Sequence, residues 1–127
     1  MELFDERRNF QAGYDAESRR PLFRNRHPQP GERPIYLTEG SGGRTGETWG
    51  LVALLPQQER NGYVLIVEGT NMEGTEAAGE FLTNPVSLEL LRRTLPPGVE
   101  YFEVLLRSTA MAGTSRNTGI AAVRVIR

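Results

Sequence analysis

The sequence predicts an α/β fold: a mixed sheet of about five to seven strands with a β-α-β crossover and flanking hairpins. Three observations predict it. "TWGLVALL" is a continuous apolar run, the pattern of a strand covered on both faces. After Gly74 the hydrophobic period changes from that of strands to that of helices. The strand-like runs "YVLIVEG" and "EYFEVLLRS" bracket those helices at a spacing that suits a right-handed parallel crossover.

In chain order, "NFQAGYD" alternates Phe10, Ala12 and Tyr14 with polar or small residues, as a half-buried strand does. "DAESRR" turns the chain, and "PLFRNR" supplies Leu22 and Phe23 for a return strand. Residues 1–34 therefore read as an N-terminal hairpin or an extended arm, and residues 35–127 as the α/β core. Arg19, Arg20, Arg24 and Arg26 make the hairpin strip basic, but Asp15 and Glu17 offset them, as on a solvated face. "PQPGERP" punctuates, "PIYL" is a short strand, and "TWGLVALL" follows. "PQQERNG" ends in an Asn61-Gly62 turn signal that sends the chain back antiparallel into "YVLIVEG". Helices are expected over about 75–83 and 85–95, with Thr75 capping the first. Asn84 caps the second, with Pro85 at its first position. Leu88, Leu91 and Leu95 form its core stripe, and Glu89 and Arg93 pair on another face. "PPG" stops that helix, and "EYFEVLLRS" and "GIAAVRVIR" close the chain as a long hairpin.

Composition removes most familiar chemistries. All fifteen basic residues are arginine, and there is no cysteine. From Ile35 onward there is also no histidine or aspartate, so neither a Schiff-base lysine nor a Ser-His-Asp or Cys-His pair can be assembled there. General bases in that region reduce to Glu, or Tyr at a strongly shifted pKa. His27, the only histidine, lies in a proline-punctuated connection and reads as a solvated loop residue. A net charge of -1 offers no electrostatic case for nucleic acid or an anionic membrane. The longest apolar runs, "LVALL" and "VLIV", fall far short of the ~20 residues that span a bilayer. No metal and no cofactor are expected, and a cytoplasmic location is.

Two glycine-rich stretches invite comparison with phosphate loops. "EGSGGRTGETWG" fails, because Gly40 and Gly46 are six apart, Glu47 stands where a lysine belongs, and a strand follows rather than a helix. It reads as a connection between strands. "VEGTNMEGTEAAGEF" has the right context, a strand, a turn, then a helix. However, Glu68, Glu73 and Glu76 outweigh the about half positive charge of a helix N-terminus. Glu68, Gly69, Thr70, Asn71, Glu73, Gly74 and Thr75 are the candidate ligand-binding set, placed where a strand's carboxyl end meets a helix. Helix-start chemistry is the larger reading of the same residues, with Gly69 and Gly74 needed for the strand-to-helix turn and Gly74 at positive φ.

"NFQAGYDAESRRPLFRNRHPQPGE", "GYVLIVEGTNMEGTEAAGEFLT" and "YFEVLLRS" together resemble a family of uncharacterised bacterial proteins. Some members carry an N-terminal winged-helix DNA-binding domain of the transcription-regulator type. The resemblance covers nearly the whole chain, and "GTEAAGEF" is its most specific part. Members usually have a further strand ending in a Gly-Gly-Pro turn ahead of the region matching Met1. Its absence here, with that of a winged helix, implies a fragment of a longer protein or a shortened relative. The resemblance implies a regulatory or sensory domain and supplies no catalytic residues. The leading expectation is a non-enzymatic sensory or interaction module of a bacterial regulatory protein. The alternative is a small enzyme acting on a nucleotide or sugar through Glu68, Glu73 or Glu76. A homodimer is expected, because an uncovered sheet edge invites pairing.

Overall fold

Seven strands and two helices are formed in the computed structural model, which describes residues 8–38, 46–57, 62–110 and 117–126. Strands β1 (Phe10–Asp15), β2 (Arg20–Asn25) and β3 (Ile35–Leu37) make one antiparallel sheet in that order. Strands β4 (Gly46–Pro56), β5 (Tyr63–Gly69), β6 (Tyr101–Ala110) and β7 (Asn117–Ile126) make a second, in the order β5-β4-β6-β7. Helices α1 (Met72–Thr83) and α2 (Pro85–Thr94) lie between β5 and β6 in sequence.

The arrangement corrects the α/β expectation. Every strand pair among the described residues is antiparallel, so the protein is mainly β, and its strands form two sheets rather than one mixed sheet. The β-α-β crossover between neighbouring parallel strands does not form. β5 and β6 run the same way, but β4 lies between them and pairs antiparallel with both. The physical reason is that hydrophobic period reports which faces of a strand are covered, not which strand lies beside it. β3 likewise joins β2 in the smaller sheet, not the larger one.

The result is three layers. Phe10, Phe23 and Tyr36 of the three-stranded sheet pack on Trp49, Leu51, Leu105 and Ala122 of the four-stranded sheet. On its opposite face, Val52, Val104 and Leu106 pack against Ala78, Phe81 and Leu91 of the helices. This is why β4 reads as unbroken apolar sequence: Trp49 and Leu51 serve one layer and Val52 the other. A bulge in β7 lets that strand serve both layers too. Leu105 pairs with Ala122 and Leu106 with Ile120, leaving Ala121 as the extra residue. The extra residue flips the alternation, so Ile120 faces the helices while Ala122 faces the smaller sheet.

The helix termini follow from short side chains. Asn84 accepts the Val86 N–H at 2.9 Å with Pro85 following, as expected. In α2 only Leu91 is buried, Leu95 is half-buried, and Leu88 is exposed, so the core stripe is narrower than expected. Glu89 meets both Arg93, at 3.4 Å, and Arg92 on the surface. No described helix is long and apolar enough to cross a membrane.

Candidate functional site

The loop from β5 to α1 begins with a charge already in use. Glu68 is opposite Leu51 in the β4–β5 register and so faces the smaller sheet, where its Oε1 accepts from the buried Arg8 at 2.8 Å. Gly69 ends the strand. A Cβ there would stand 2.2 Å from the Thr75 nitrogen, so the loop closes on itself only around a glycine.

Thr70 and Asn71 are the hub of a hydroxyl network, not a set open to solvent. The Thr70 N–H donates to the Trp49 carbonyl at 2.9 Å, and its Oγ1 accepts from the Trp49 N–H at 3.2 Å. Thr38 donates to the Thr70 hydroxyl, and Thr48 lies 3.0 Å from it. Thr48 in turn donates to Asn71 Oδ1 at 2.5 Å. Asn71 Oδ1 also accepts the Gly74 N–H at 2.9 Å, which makes Asn71 the N-cap of α1. The helix therefore begins at Met72, three residues before the expected start, and Thr75 lies inside it. The same atom caps the helix and ties it to β4. Of the glycine-rich stretch "EGSGGRTGETWG" read as a connection, Gly46 to Gly50 belong to β4, and residues 39–45 lie outside the described residues.

Gly74 has helical backbone, not the positive φ expected of it. Its glycine identity answers to contact instead. A Cβ would stand 2.3 Å from the Trp49 carbonyl oxygen, and one on Gly50 would stand 2.6 Å from the Gly74 oxygen. The two glycines let α1 lie directly on the backbone of β4. Glu73 and Glu76 project from the first turns of α1, half-buried and exposed respectively, and Glu80 follows on the outer surface. The three candidate carboxylates thus divide between two layers. Glu68 serves the inter-sheet side, and Glu73 and Glu76 belong to the helix on the other.

Replacing Asn71 by Ala is expected to cost about 1–2 kcal/mol, because a cap and the Thr48 acceptor are lost together. Thr75→Ala is expected to cost less than about 0.5 kcal/mol, since Thr75 is exposed and its hydroxyl only folds back on the Asn71 carbonyl at 3.2 Å. Urea unfolding of the two variants checks this, and equal losses would return the cap to Thr75.

The strongest charge cluster escaped the sequence reading. Glu103, in the middle of β6, is fully buried between the sheets. Its carboxylate accepts the Asn9 N–H at 2.5 Å and the Phe10 N–H at 2.8 Å. Burial pushes its carboxyl above the ordinary glutamate value, against the opposing pull of the two N–H groups and of Arg8 and Arg124. Arg124, opposite Glu103 in the β6–β7 register, reaches the other way to Glu32 at 2.9 Å and to the His27 carbonyl at 3.0 Å. It also lies over the Phe10 ring at 5.2 Å. Arg124, with help from Asn25 and the Gln29 N–H, holds the Glu32 carboxyl down at about 2. Asn9 and Asn25 bond each other at 2.8 Å, and the His27 N–H donates to Asn9 Oδ1 at 2.8 Å. The cluster clasps the start of the smaller sheet to the larger one. A signal for it was present: Glu103 and Arg124 are single charges inside apolar strand runs, "YFEVLL" and "AAVRVI".

Among the described residues no three His, Asp or Glu side chains are gathered as a metal site requires. Compared with protein-family models, curated proteins and solved structures, the chain matches none.

Proposed function

We infer that the chain is a non-enzymatic sensory or interaction module. The observation that carries this reading is the division of Glu68 from Glu73 and Glu76. Paired carboxylates perform acid/base chemistry when they converge on one cleft and their environments separate their pKa values. Here Glu68 is neutralised by Arg8 on the inter-sheet side, while Glu73 and Glu76 stand on the helix of the opposite layer. The remaining polar side chains of the loop, Thr70 and Asn71, are committed to Thr38, Thr48 and the helix cap. What the fold offers to partners is therefore its surfaces. The setting in a bacterial regulatory protein comes from the resemblance described above, and the cytoplasmic location from the composition.

A panel of nucleotides, sugars and divalent ions, assayed for turnover and for thermal shift, separates the readings. The expected result is no turnover that depends on a glutamate, with Glu73→Gln folding as the parent does. Hydrolysis of any panel member that is abolished by Glu73→Gln or Glu76→Gln would overturn the module reading in favour of a glutamate-dependent enzyme.

A further inference from the structure

We propose that the outer edge of β5 is a self-association surface, on which two copies of the chain pair their β5 strands antiparallel about a two-fold axis at Leu65. The inference goes beyond the module reading and does not depend on the β5–α1 loop.

It starts from how the sheet edges differ. An exposed strand edge presents unpaired N–H and C=O groups and is normally blunted by shortness, charge, proline or a bulge. β7, at one edge of the larger sheet, carries the Ala121 bulge and the inward Arg124. In the smaller sheet β3 has only three residues, and β1 carries Gly13 and Asp15. β5 is less protected: over Tyr63–Val67 it has no charge, proline, glycine or bulge. Its seven residues, "YVLIVEG", pair with β4 in unbroken register, and among the described residues its other edge has no partner. It holds no proline, lysine or arginine, and its one charge, Glu68, is held by Arg8.

The side chains point to the same occupant. Val67 faces the helix layer, and so, by alternation, do Tyr63 and Leu65. Those two remain 68% and 49% exposed, large apolar groups beside an open edge. A two-fold axis at Leu65 sets Leu65 against its own copy, Tyr63 against Val67 of the partner subunit, and Val64 against Ile66 of the partner subunit. The cross-strand pairs over Tyr63–Val67 in that register are all apolar or aromatic. Glu68 falls opposite Gly62 of the partner subunit, so no like charges meet. A second copy thus satisfies the edge with matching apolar side chains over Tyr63–Val67, as an isologous contact allows.

Sedimentation velocity on the full chain over a wide concentration series tests the proposal. The expected result is a reversible dimer, weakened about tenfold or more by Leu65→Lys, which sets two ammonium groups against each other at the axis. Leu65 is half-exposed, so the variant should keep the parent's circular dichroism. The absence of native cysteine supplies a second test that does not rely on a destabilising change. Leu65→Cys should form an interchain disulfide under mild oxidation, because directly opposed strand residues have Cα atoms about 4.5–5.5 Å apart, within disulfide reach. Tyr63→Cys should not, since its two copies would lie about 13 Å apart along the strands. A chain that stays monomeric throughout overturns the proposal and leaves the edge to a different partner. So does a dimer indifferent to Leu65→Lys, or cross-linking by Tyr63→Cys in place of Leu65→Cys.

Discussion

Gly74→Ala is expected to destabilise the chain by about 2–3 kcal/mol and Gly74→Val by more, whereas Gly79→Ala in the same helix should stabilise it by about 0.5–1 kcal/mol. By intrinsic preference both alanine variants should help, since glycine is the poorer helix former. Surroundings reverse the sign at one of them. The Cβ added at Gly74 would meet the Trp49 carbonyl oxygen at 2.3 Å and the Trp49 carbonyl carbon at 3.1 Å. Backbone cannot swing aside as a side chain can. Relief would require α1 to lift from β4, taking Ala78 and Phe81 out of the helix-side core. At Gly79 the added methyl meets nothing within 4 Å. Chemical denaturation of the two alanine variants is sufficient. Stabilisation by both would mean that α1 does not rest on β4 as described.

Glu103→Ala is expected to cost about 3–5 kcal/mol, with Glu103→Gln costing less. Alanine leaves the buried Asn9 and Phe10 N–H groups without their acceptor, and Arg8 and Arg124 without the charge that faces them. Glutamine keeps the shape and one carbonyl acceptor, but turns an NH2 toward the second donor. The pH dependence carries its own sign. Burial raises the folded-state pKa of Glu103, so between the ordinary glutamate value and that raised value the native state holds the extra proton. Stability from this group therefore falls as pH rises through that window. Glu32 acts oppositely. Its carboxyl is lowered to about 2, so its contribution is complete above the ordinary glutamate value and fades as pH falls toward 2. Stability measured against pH should show the falling limb in the parent and lose it in Glu103→Gln. A difference between the two that is flat above the ordinary glutamate range would show that Glu103 titrates as a solvated side chain.

Much of the element list was legible because it depends on local signals. Alternation at Phe10, Ala12 and Tyr14, the Asn61-Gly62 turn, and Asn84 with Pro85 each act over a few residues, and the strands and helices appear where they indicate. In β1, however, only Phe10 of the expected half-buried face is buried, and Ala12 and Tyr14 are exposed. Strand partnership was not legible. Nothing in "YVLIVEG" or "EYFEVLLRS" tells whether they touch or are held apart by β4, because either arrangement covers both their faces. The start of α1 was misplaced for a related reason. Thr75-Glu76 is as good a local cap signal as Asn71, and the choice is made by Gly74, which must be inside the helix to reach Trp49. The candidate loop was located correctly as a strand-to-helix junction, yet the partners that occupy it, Thr38, Thr48 and Arg8, come from distant sequence. Glu103 was readable as an anomaly: a lone charge inside a strand covered on both sides needs a partner, and its partners are two main-chain N–H groups that no side-chain pattern reveals.

The clasp between Glu103 and the start of β1 also sets an order of events during synthesis. Asn9 and Phe10 are separated from Glu103 by 94 and 93 residues, and Glu32 from Arg124 by 92. Ribosomes add about 5–20 residues per second, so Phe10 and Phe23 wait about 5–20 s for β6 and β7 to emerge. Through that interval the β1–β2 hairpin has no apolar surface from β6 or β7 to cover. The β4–β5 hairpin needs no such delay, since its strands are joined by a short connection. The strands of the smaller sheet thus emerge first, while the surface that covers them is completed last. The arginines of β2 and the proline-rich connection before β3 are residues of the kind that favour solvation of such a waiting segment.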